Sequence, residues 1–248
     1  MNVHAFSGYN VPAPPGGTLY GALAGASTTS DLYTIDPSTG AATSVGPIGF
    51  AVTGLAFRPS DNVLFGVTSG NSAISTRSLI TIDTITGDGT LVGGLFITQG
   101  LADISFRSDD VLYGFSGNNS RLYTVNTSTG TATQVSATAV PPPLGFGLGL
   151  SFDSADILYV FPRSANGVFY IVDETTVSFT AQTALSGTAY PSNASIPAAS
   201  FDAADLCWVV VNDASVPQWE IATVDVATST ITSIGVTTST MDALAWGP

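Results

Sequence analysis

The chain contains no lysine, one cysteine and one histidine in 248 residues. Charged residues make up 9% of it, against roughly 25% in an average globular protein. All five basic residues are arginines, and 18 acidic residues bring the formal net charge to −13. Because such a charge repels phosphate backbones and anionic lipid surfaces, we expect neither nucleic-acid binding nor membrane insertion.

The scarcity of reactive side chains limits the chemistry that the chain can perform. Cys207 has no second cysteine to pair with, and the run "LCWVVV" around it is typical of a buried strand. The single histidine, His4, lies in the N-terminal segment, so we do not predict a Cys/His nucleophile. With no Ser/His/Asp set and no cluster of metal ligands in the sequence, we expect no cofactor and no metal.

What the chain does contain is repetition. "LYTIDPSTGAATSVG" begins at Leu32, and near-copies begin at Leu79 and Leu122. An aromatic anchor recurs at spacings of 49, 46, 49 and 45 residues. The anchors are Phe57, Phe106, Phe152, Phe201 and Trp246. Each unit shows four short strand patterns separated by turn residues, and four strands in roughly 40–50 residues are typical of a β-propeller blade.

The two ends of the chain complete one another. The last unit has only its first strand, "MDALAW", and the three missing strands open the chain as "TLYGALAG", "DLYTID" and "AATSVG". We therefore predict an all-β fold: a closed five-bladed β-propeller over residues 18–248, with the C-terminal strand pairing near Leu19. Residues 1–17, which include "VPAPPGG", form a separate extended arm.

Repetition also separates structural from functional residues. Aspartate or asparagine recurs in the turns between strands one and two (Asp61, Asp110, Asp156, Asp205) and between strands three and four (Asp36, Asp83, Asn126, Asp173, Asp225). We interpret these residues as turn formers, with calcium binding at "RPSDN" or "FRSDD" as the alternative. The strand-two aromatics are predicted to fill the space between blades. They are Tyr20, Phe65, Tyr113, Tyr159 and Trp208.

The remaining connections, between strands two and three and from strand four to the next blade, vary in length and composition. We call this end of the ring the loop end and the opposite end the turn end. Variable loops on a rigid scaffold are the usual place for binding, and amides with aromatics suit glycans or a protein partner. The candidate binding residues are Arg77, Asn118, Asn119, Arg121, Arg163, Asn166, Tyr190, Asn193, Asn212 and Trp219. The alternative is that these loops are simply solvated.

Two carboxylates are candidates for the central channel. Asp103 and Asp242 lie near the starts of the first strands of their blades, where other blades have Thr53, Gly149 and Ala198. Five-bladed glycosidases need at least two well-placed carboxyl groups. Two candidates without further catalytic residues lead us to expect a protein that is not an enzyme, with glycoside hydrolase kept as an alternative.

The N-terminal arm offers a second place for assembly. His4, Phe6 and Tyr9 are its anchoring side chains, which either fold back on the ring or reach a neighbouring subunit. A disordered terminus is the alternative interpretation.

The "LYTIDPSTG" repeat resembles that of bacterial and phage surface propeller proteins, whose blades carry "LY.ID..TG". The resemblance implies the propeller fold and offers no catalytic residues. The N-terminus shows no signal-peptide pattern. We therefore expect a structural or adhesive protein on a virion, as a capsid decoration or tail-fibre component made in the cytoplasm and released by lysis, or on a cell surface. A glycan-binding lectin is the alternative function. A secreted extracellular matrix protein is the alternative if Met1 is not the native start. The expected partners are protein subunits of a larger assembly or surface glycans.

Overall fold

The computed structural model describes residues 16–23, 28–117, 119–135, 144, 147–163, 167–187, 194–213, 219–238 and 240–248. These residues form twenty β-strands and no helix. The strands assemble into five four-stranded antiparallel sheets, which are the five blades of a propeller. The predicted fold class is therefore confirmed.

The strands follow the chain blade by blade. The first blade contains β1 (Thr18–Leu23), β2 (Asp31–Ile35) and β3 (Ala42–Pro47). The second contains β4 (Val52–Phe57), β5 (Leu64–Thr68), β6 (Ser78–Ile82) and β7 (Gly89–Gly94). The third contains β8 (Asp103–Phe106), β9 (Leu112–Ser116), β10 (Arg121–Val125) and β11 (Ala132–Gln134). The fourth contains β12 (Leu148–Phe152), β13 (Leu158–Pro162), β14 (Tyr170–Asp173) and β15 (Ser178–Ala181). The fifth contains β16 (Ala194–Phe201), β17 (Cys207–Asp213), β18 (Trp219–Asp225) and β19 (Thr230–Thr237).

The last strand, β20 (Met241–Gly247), returns to the first blade and closes the ring. It pairs antiparallel with β1, and Leu19 lies opposite Trp246, as the sequence predicts. The innermost strands β4, β8, β12, β16 and β20 pack against one another in that order around the axis. Closure removes two sheet edges that would otherwise be free to pair with other chains.

Aromatic pairs occupy the spaces between blades, which confirms the prediction for the strand-two aromatics. Each pairs with the anchor aromatic of the following blade, with ring centroids 5.2–5.5 Å apart. The five pairs are Tyr20–Phe57, Phe65–Phe106, Tyr113–Phe152, Tyr159–Phe201 and Trp208–Trp246. The hydrophobic core is thus divided into clusters that join neighbouring blades.

The turns between strands three and four are built by their first residue. The Asp36 carboxylate accepts the Ser38 N–H at 2.8 Å, and the Asp83 carboxylate accepts the Ile85 N–H at 2.7 Å. The same bond recurs at Asn126, Asp173 and Asp225. All five residues are therefore turn formers, in agreement with the sequence-based interpretation.

The turns between strands one and two also join neighbouring blades, which the sequence did not indicate. Asp156 accepts the Ser108 N–H at 2.9 Å and the Ser108 hydroxyl at 2.6 Å across the blade boundary. Asp205 binds Ser154 in the same way, at 2.8 and 2.6 Å.

One member of the predicted turn set occupies a different position in its turn. The first of these turns is one residue longer, so Asn62, with φ of 58°, takes the left-handed position that Asp110, Asp156 and Asp205 hold in the other blades. Asp61 binds Arg58 through both carboxylate oxygens and also accepts the Val63 N–H at 3.3 Å, so it is a turn former as predicted. Counting four residues from the aromatic anchor nevertheless does not select the position equivalent to Asp110, Asp156 and Asp205.

The glycines of the "TG…VG" pattern allow backbone to touch backbone between blades. A Cβ on Gly93, at the end of the second blade's outer strand, would lie only 2.1 Å from the Thr129 carbonyl of the third blade. Gly130, the other partner, has φ of 79° in the adjoining turn. Neither position has room for a side chain, which explains why the two glycines occur together in the repeat.

Candidate functional site

The described residues line two cavities of different size at opposite ends of the ring. At the turn end, a cavity of about 110 Å³ is lined by residues of all five innermost strands. There the hydroxyls of Ser105, Ser151 and Ser200 accept N–H groups of Phe152, Phe201 and Trp246. These bonds, at 2.8–3.2 Å, link the third, fourth, fifth and first blades in turn. The serines of this cavity therefore serve the ring itself.

Asp103 lies between blades as a buried carboxylate. It is fully buried, and its two oxygens accept the N–H groups of Ile104 and Leu150 at 2.9 Å each. Small residues occupy the same place, three positions before the anchor, in the other blades: Gly54, Gly149, Ala198 and Ala243. Burial raises the pKa of Asp103 well above its usual value, although the backbone N–H groups oppose that shift. Its contacts are those of a structural group that joins adjacent blades.

A larger cavity of about 500 Å³ opens among loop-end residues of the first four blades, and we call it the axial cavity. It is lined by Thr53, Ser69, Gly70, Asn71, Arg77, Gln99, Gly100, Leu101, Ala102, Gly117, Gly147, Arg163 and Asp242. Its volume is in the range of pockets that hold small molecules. Its lining combines hydroxyl, amide and guanidinium groups with apolar surface of similar extent, so the cavity offers hydrogen-bonding groups to a ligand that has both polar and apolar parts.

Two of the predicted binding residues, Arg77 and Arg163, meet in this cavity. Each guanidinium lies against a glycine. A Cβ on Gly70 would stand 3.2 Å from Nη2 of Arg77, and one on Gly147 would stand 3.3 Å from Nη1 of Arg163. The glycines thus leave room for the two cationic groups at the wall of the cavity.

Asp242 is the one carboxylate among the described residues that line the axial cavity. It is half-buried, and the removal of water raises its pKa to about 6, against the opposing attraction of Arg163. Asp242 stands four positions before its anchor and Asp103 three, so the two carboxylates do not occupy equivalent places. The structure therefore places Asp242 at the cavity and buries Asp103 between blades, near enough for the charge of Asp242 to act on it.

Other predicted binding residues lie away from the axial cavity. Arg121 donates from Nη1 to the Gln134 side chain at 2.6 Å, and Asn119 donates to the Tyr123 hydroxyl at 3.3 Å. Both residues belong to the third blade. In the fifth blade, Asn212 lies opposite Trp219 in the β17–β18 pair. Trp219 is half-buried and packs against the cluster between the fifth and first blades.

Seven of the predicted residues fall outside the described part of the chain. These are the loop residues Asn118, Asn166, Tyr190 and Asn193 and the arm residues His4, Phe6 and Tyr9. Their roles stay predictions.

Three polar cavity residues were not singled out from the sequence: Ser69, Asn71 and Gln99. They lie in loops whose sequences are variable, and only the glycines beside them, Gly70 and Gly100, distinguish their positions. A glycine next to a polar residue in a loop that faces the axis is the signal that could have found them.

The turn end uses its arginines differently. Arg107 donates to Asp109 and, at 3.1 Å, to Glu174 of the fourth blade, while its guanidinium lies over the Tyr113 ring. These hydrogen bonds raise the pKa of Arg107 and lower that of Asp109. Arg58 is held by Asp61 in the same manner.

The described part of the chain contains neither a cluster of metal-ligating side chains nor a helix that could span a membrane. Within it, no group of three or more histidine, cysteine, aspartate or glutamate side chains is arranged to hold a metal ion. No helix long and apolar enough to cross a membrane occurs among those residues either.

Comparison with known proteins identifies the fold and nothing finer. No protein-family model matches the chain, and no curated protein matches it in sequence. A chain of a nidogen–laminin complex superposes with a TM-score of 0.58 at 11% identity, over 94% of this chain and 99% of that one.

A Bacteroides thetaiotaomicron protein of unknown function gives a TM-score of 0.59 at 12% identity. That alignment covers 88% of this chain but 58% of the other, so this chain spans a little over half of that protein's length. At these identities the likeness concerns the propeller fold alone.

Proposed function

We propose that this chain is a non-enzymatic binding propeller, a structural or adhesive component of a virion or cell surface that takes its partner at the loop end. The observation that carries the proposal is the axial cavity. In a chain of net charge −13, two of the five arginines line this one cavity, together with amide and hydroxyl groups. A cavity of this kind on a closed, rigid ring is suited to recognition.

The carboxylates of the axis favour binding over hydrolysis. A glycosidase needs an acid and a base or nucleophile on opposite sides of the scissile bond. Asp103 is fully buried and bonded to backbone N–H groups, so Asp242 has no carboxylate partner among the described cavity residues. This arrangement supports the non-enzymatic proposal over the hydrolase alternative.

Glycan binding is the second candidate function. Ser69, Asn71 and Gln99 supply the hydroxyl and amide groups that hydrogen-bond sugars. Trp219 is a weaker candidate than its sequence position suggested, because part of its ring surface is used in packing between blades. A lectin site would therefore centre on the axial cavity.

The test is binding of the purified full chain to an array of neutral and acidic glycans, with a hydrolysis assay on every glycan that it binds. Arg77→Gln is the site variant, and Arg58→Gln, at the turn end, is the matched control. We expect saturable binding without turnover, weakened in Arg77→Gln and retained in Arg58→Gln.

Other outcomes select among the alternatives. Turnover that disappears in Asp242→Asn would refute the non-enzymatic assignment. An array on which nothing binds would remove the glycan candidate and leave a protein partner. Binding that is equally strong in both arginine variants would move the site away from the axial cavity.

A further inference from the structure

We infer that the axial cavity binds a singly charged acidic sugar through its carboxylate, with the Arg77 guanidinium as the receiving group and Arg163 beside it. The inference rests on the proposed function in taking the loop end as the binding surface. It goes further by naming the chemical class of the ligand and the group that is recognised.

Arg77 has no acidic partner among the described residues. Its Nε atom is buried and has no hydrogen-bond acceptor within the described structure. No carboxylate lies within ion-pairing distance of Arg77 there either, whereas Arg58 and Arg107 each bind one or more. A guanidinium at the cavity wall that no described carboxylate neutralises is suited to form a charge-assisted pair with the carboxylate of a ligand.

The backbone of Arg77 is held in an uncommon conformation. Its backbone takes φ of 50°, a left-handed conformation that is uncommon for a residue with a side chain. Its carbonyl accepts the Leu95 N–H at 2.9 Å, and Gly70 leaves space beside its Nη2. The loop therefore holds the backbone from which the Arg77 side chain reaches the cavity wall, and strained backbone of this kind is concentrated at binding sites.

The volume of the cavity and the net charge of the chain limit the size and charge of the ligand. A cavity of about 500 Å³ admits a monosaccharide or disaccharide and is lined by groups that bind hydroxyls. The net charge of −13 disfavours a polyanion, because long-range repulsion grows with ligand charge. A single carboxylate on a neutral polyol satisfies both conditions.

Asp242 should make the affinity of the axial cavity for an acidic ligand depend on pH. It shares the cavity with Arg77 and Arg163, and its negative charge also acts on the buried Asp103. When Asp242 is ionised it repels an incoming carboxylate and competes for Arg163. When Asp242 is protonated, this repulsion ends, so an acidic ligand should bind more tightly at pH 5.5 than at pH 7.5.

The test is calorimetric titration of the full chain with glucuronate and with glucose, its uncharged counterpart, at both pH values. We expect glucuronate to bind at least about tenfold more tightly than glucose. Arg77→Gln should weaken glucuronate about tenfold or more, and Arg58→Gln should leave it unchanged. Asp242→Asn should tighten it several-fold at pH 7.5 and remove the dependence on pH. The thermal melting of each variant shows that it is folded.

Several results would overturn the inference. Equal affinity for the two sugars, or glucuronate binding that is indifferent to Arg77→Gln in a folded variant, would remove the carboxylate from the recognition. Absence of glucuronate binding at millimolar concentration would do the same. If neutral glycans on the array then still bind in an Arg77-dependent way, the inference has failed and the proposed function stands. If the array is also indifferent to Arg77, both have failed.

Discussion

The two ends of the propeller use the same residue type for different purposes. At the turn end, Arg58 and Arg107 bind the carboxylates of Asp61, Asp109 and Glu174. At the loop end, Arg77 and Arg163 line a cavity of about 500 Å³, with glycines beside their guanidinium groups.

The polar groups near the axis differ in the same way. The serine hydroxyls around the smaller cavity accept backbone N–H groups of the next blade, so their hydrogen-bonding capacity serves the ring. In the larger cavity, the buried Nε of Arg77 has no acceptor in the described structure. Polar side chains that the fold holds in place but that have no hydrogen-bond partner within the chain are therefore the better candidates for ligand binding.

The largest expected effect comes from opening the ring, on which both ends depend. Deletion of residues 240–248 removes β20, the innermost strand of the first blade, and exposes the edge of β1. We expect loss of the whole free energy of unfolding, typically about 5–15 kcal/mol, and aggregation through the free edges. Size-exclusion chromatography and a thermal melt measure both.

The control removes Pro248 alone, which is exposed and lies beyond β20. It should elute at the same volume as the full chain and keep the same melting temperature. If the longer truncation is itself monomeric and melts cooperatively, ring closure is not what holds the two ends together.

A smaller effect distinguishes the arginines of the two ends. Arg107→Gln loses bonds to Asp109 and Glu174, so we expect its free energy of unfolding to fall by about 1 kcal/mol, since these pairs are partly exposed. Arg77→Gln removes no described ion pair, so its free energy of unfolding should change by less than about 0.5 kcal/mol. Urea denaturation at pH 7 measures both. Equal losses would mean that Arg77 also has a structural role.

The fold could be predicted because the same four-strand blade pattern occurs five times in the sequence. The aromatic anchor and the Asx turn recur in all five blades, and the glycine pair recurs at three blade boundaries. One interpretation therefore had to fit all blades, and the split blade followed from the incomplete ends. The alignment of Asp61 with the other blades is off by one because an additional residue in that turn shifts the register, and only the backbone shows that Asn62 takes the left-handed position.

The candidate site was less predictable because it depends on which loops meet. Sequence placed Arg77, Arg121 and Arg163 at the same end of the ring, but only the folded chain brings Arg77 and Arg163 into one cavity and leaves Arg121 with Gln134. Likewise, a shift of one residue relative to the anchor buries Asp103 between blades and leaves Asp242 in the cavity. Distances across a ring are not encoded in the local pattern of any one blade.

The smallest expected effect is a pH dependence of stability that belongs to the loop end. The native pKa of Asp242, about 6, lies above the value of about 3.9 expected in the unfolded chain. Between these values the native state binds more protons than the unfolded state, so the free energy of unfolding falls as pH rises through 6. The pKa values of Asp83 and Asp173 at the turn end are lowered by hydrogen bonds from backbone N–H groups, so their contribution is lost only as pH falls below about 4.

Urea denaturation at pH 5, 6 and 7 separates these contributions. Because Asp242 is half-buried, we expect its share of the decline between pH 5 and pH 7 to be about 0.5 kcal/mol. Asp242→Asn should show a correspondingly shallower slope, and the slope that remains belongs to Asp103, whose pKa is raised by burial in the same direction. An unchanged slope in Asp242→Asn would mean that this carboxyl is ionised as freely in the folded chain as in the unfolded one, and the axial cavity would then be no less hydrated than the turn end.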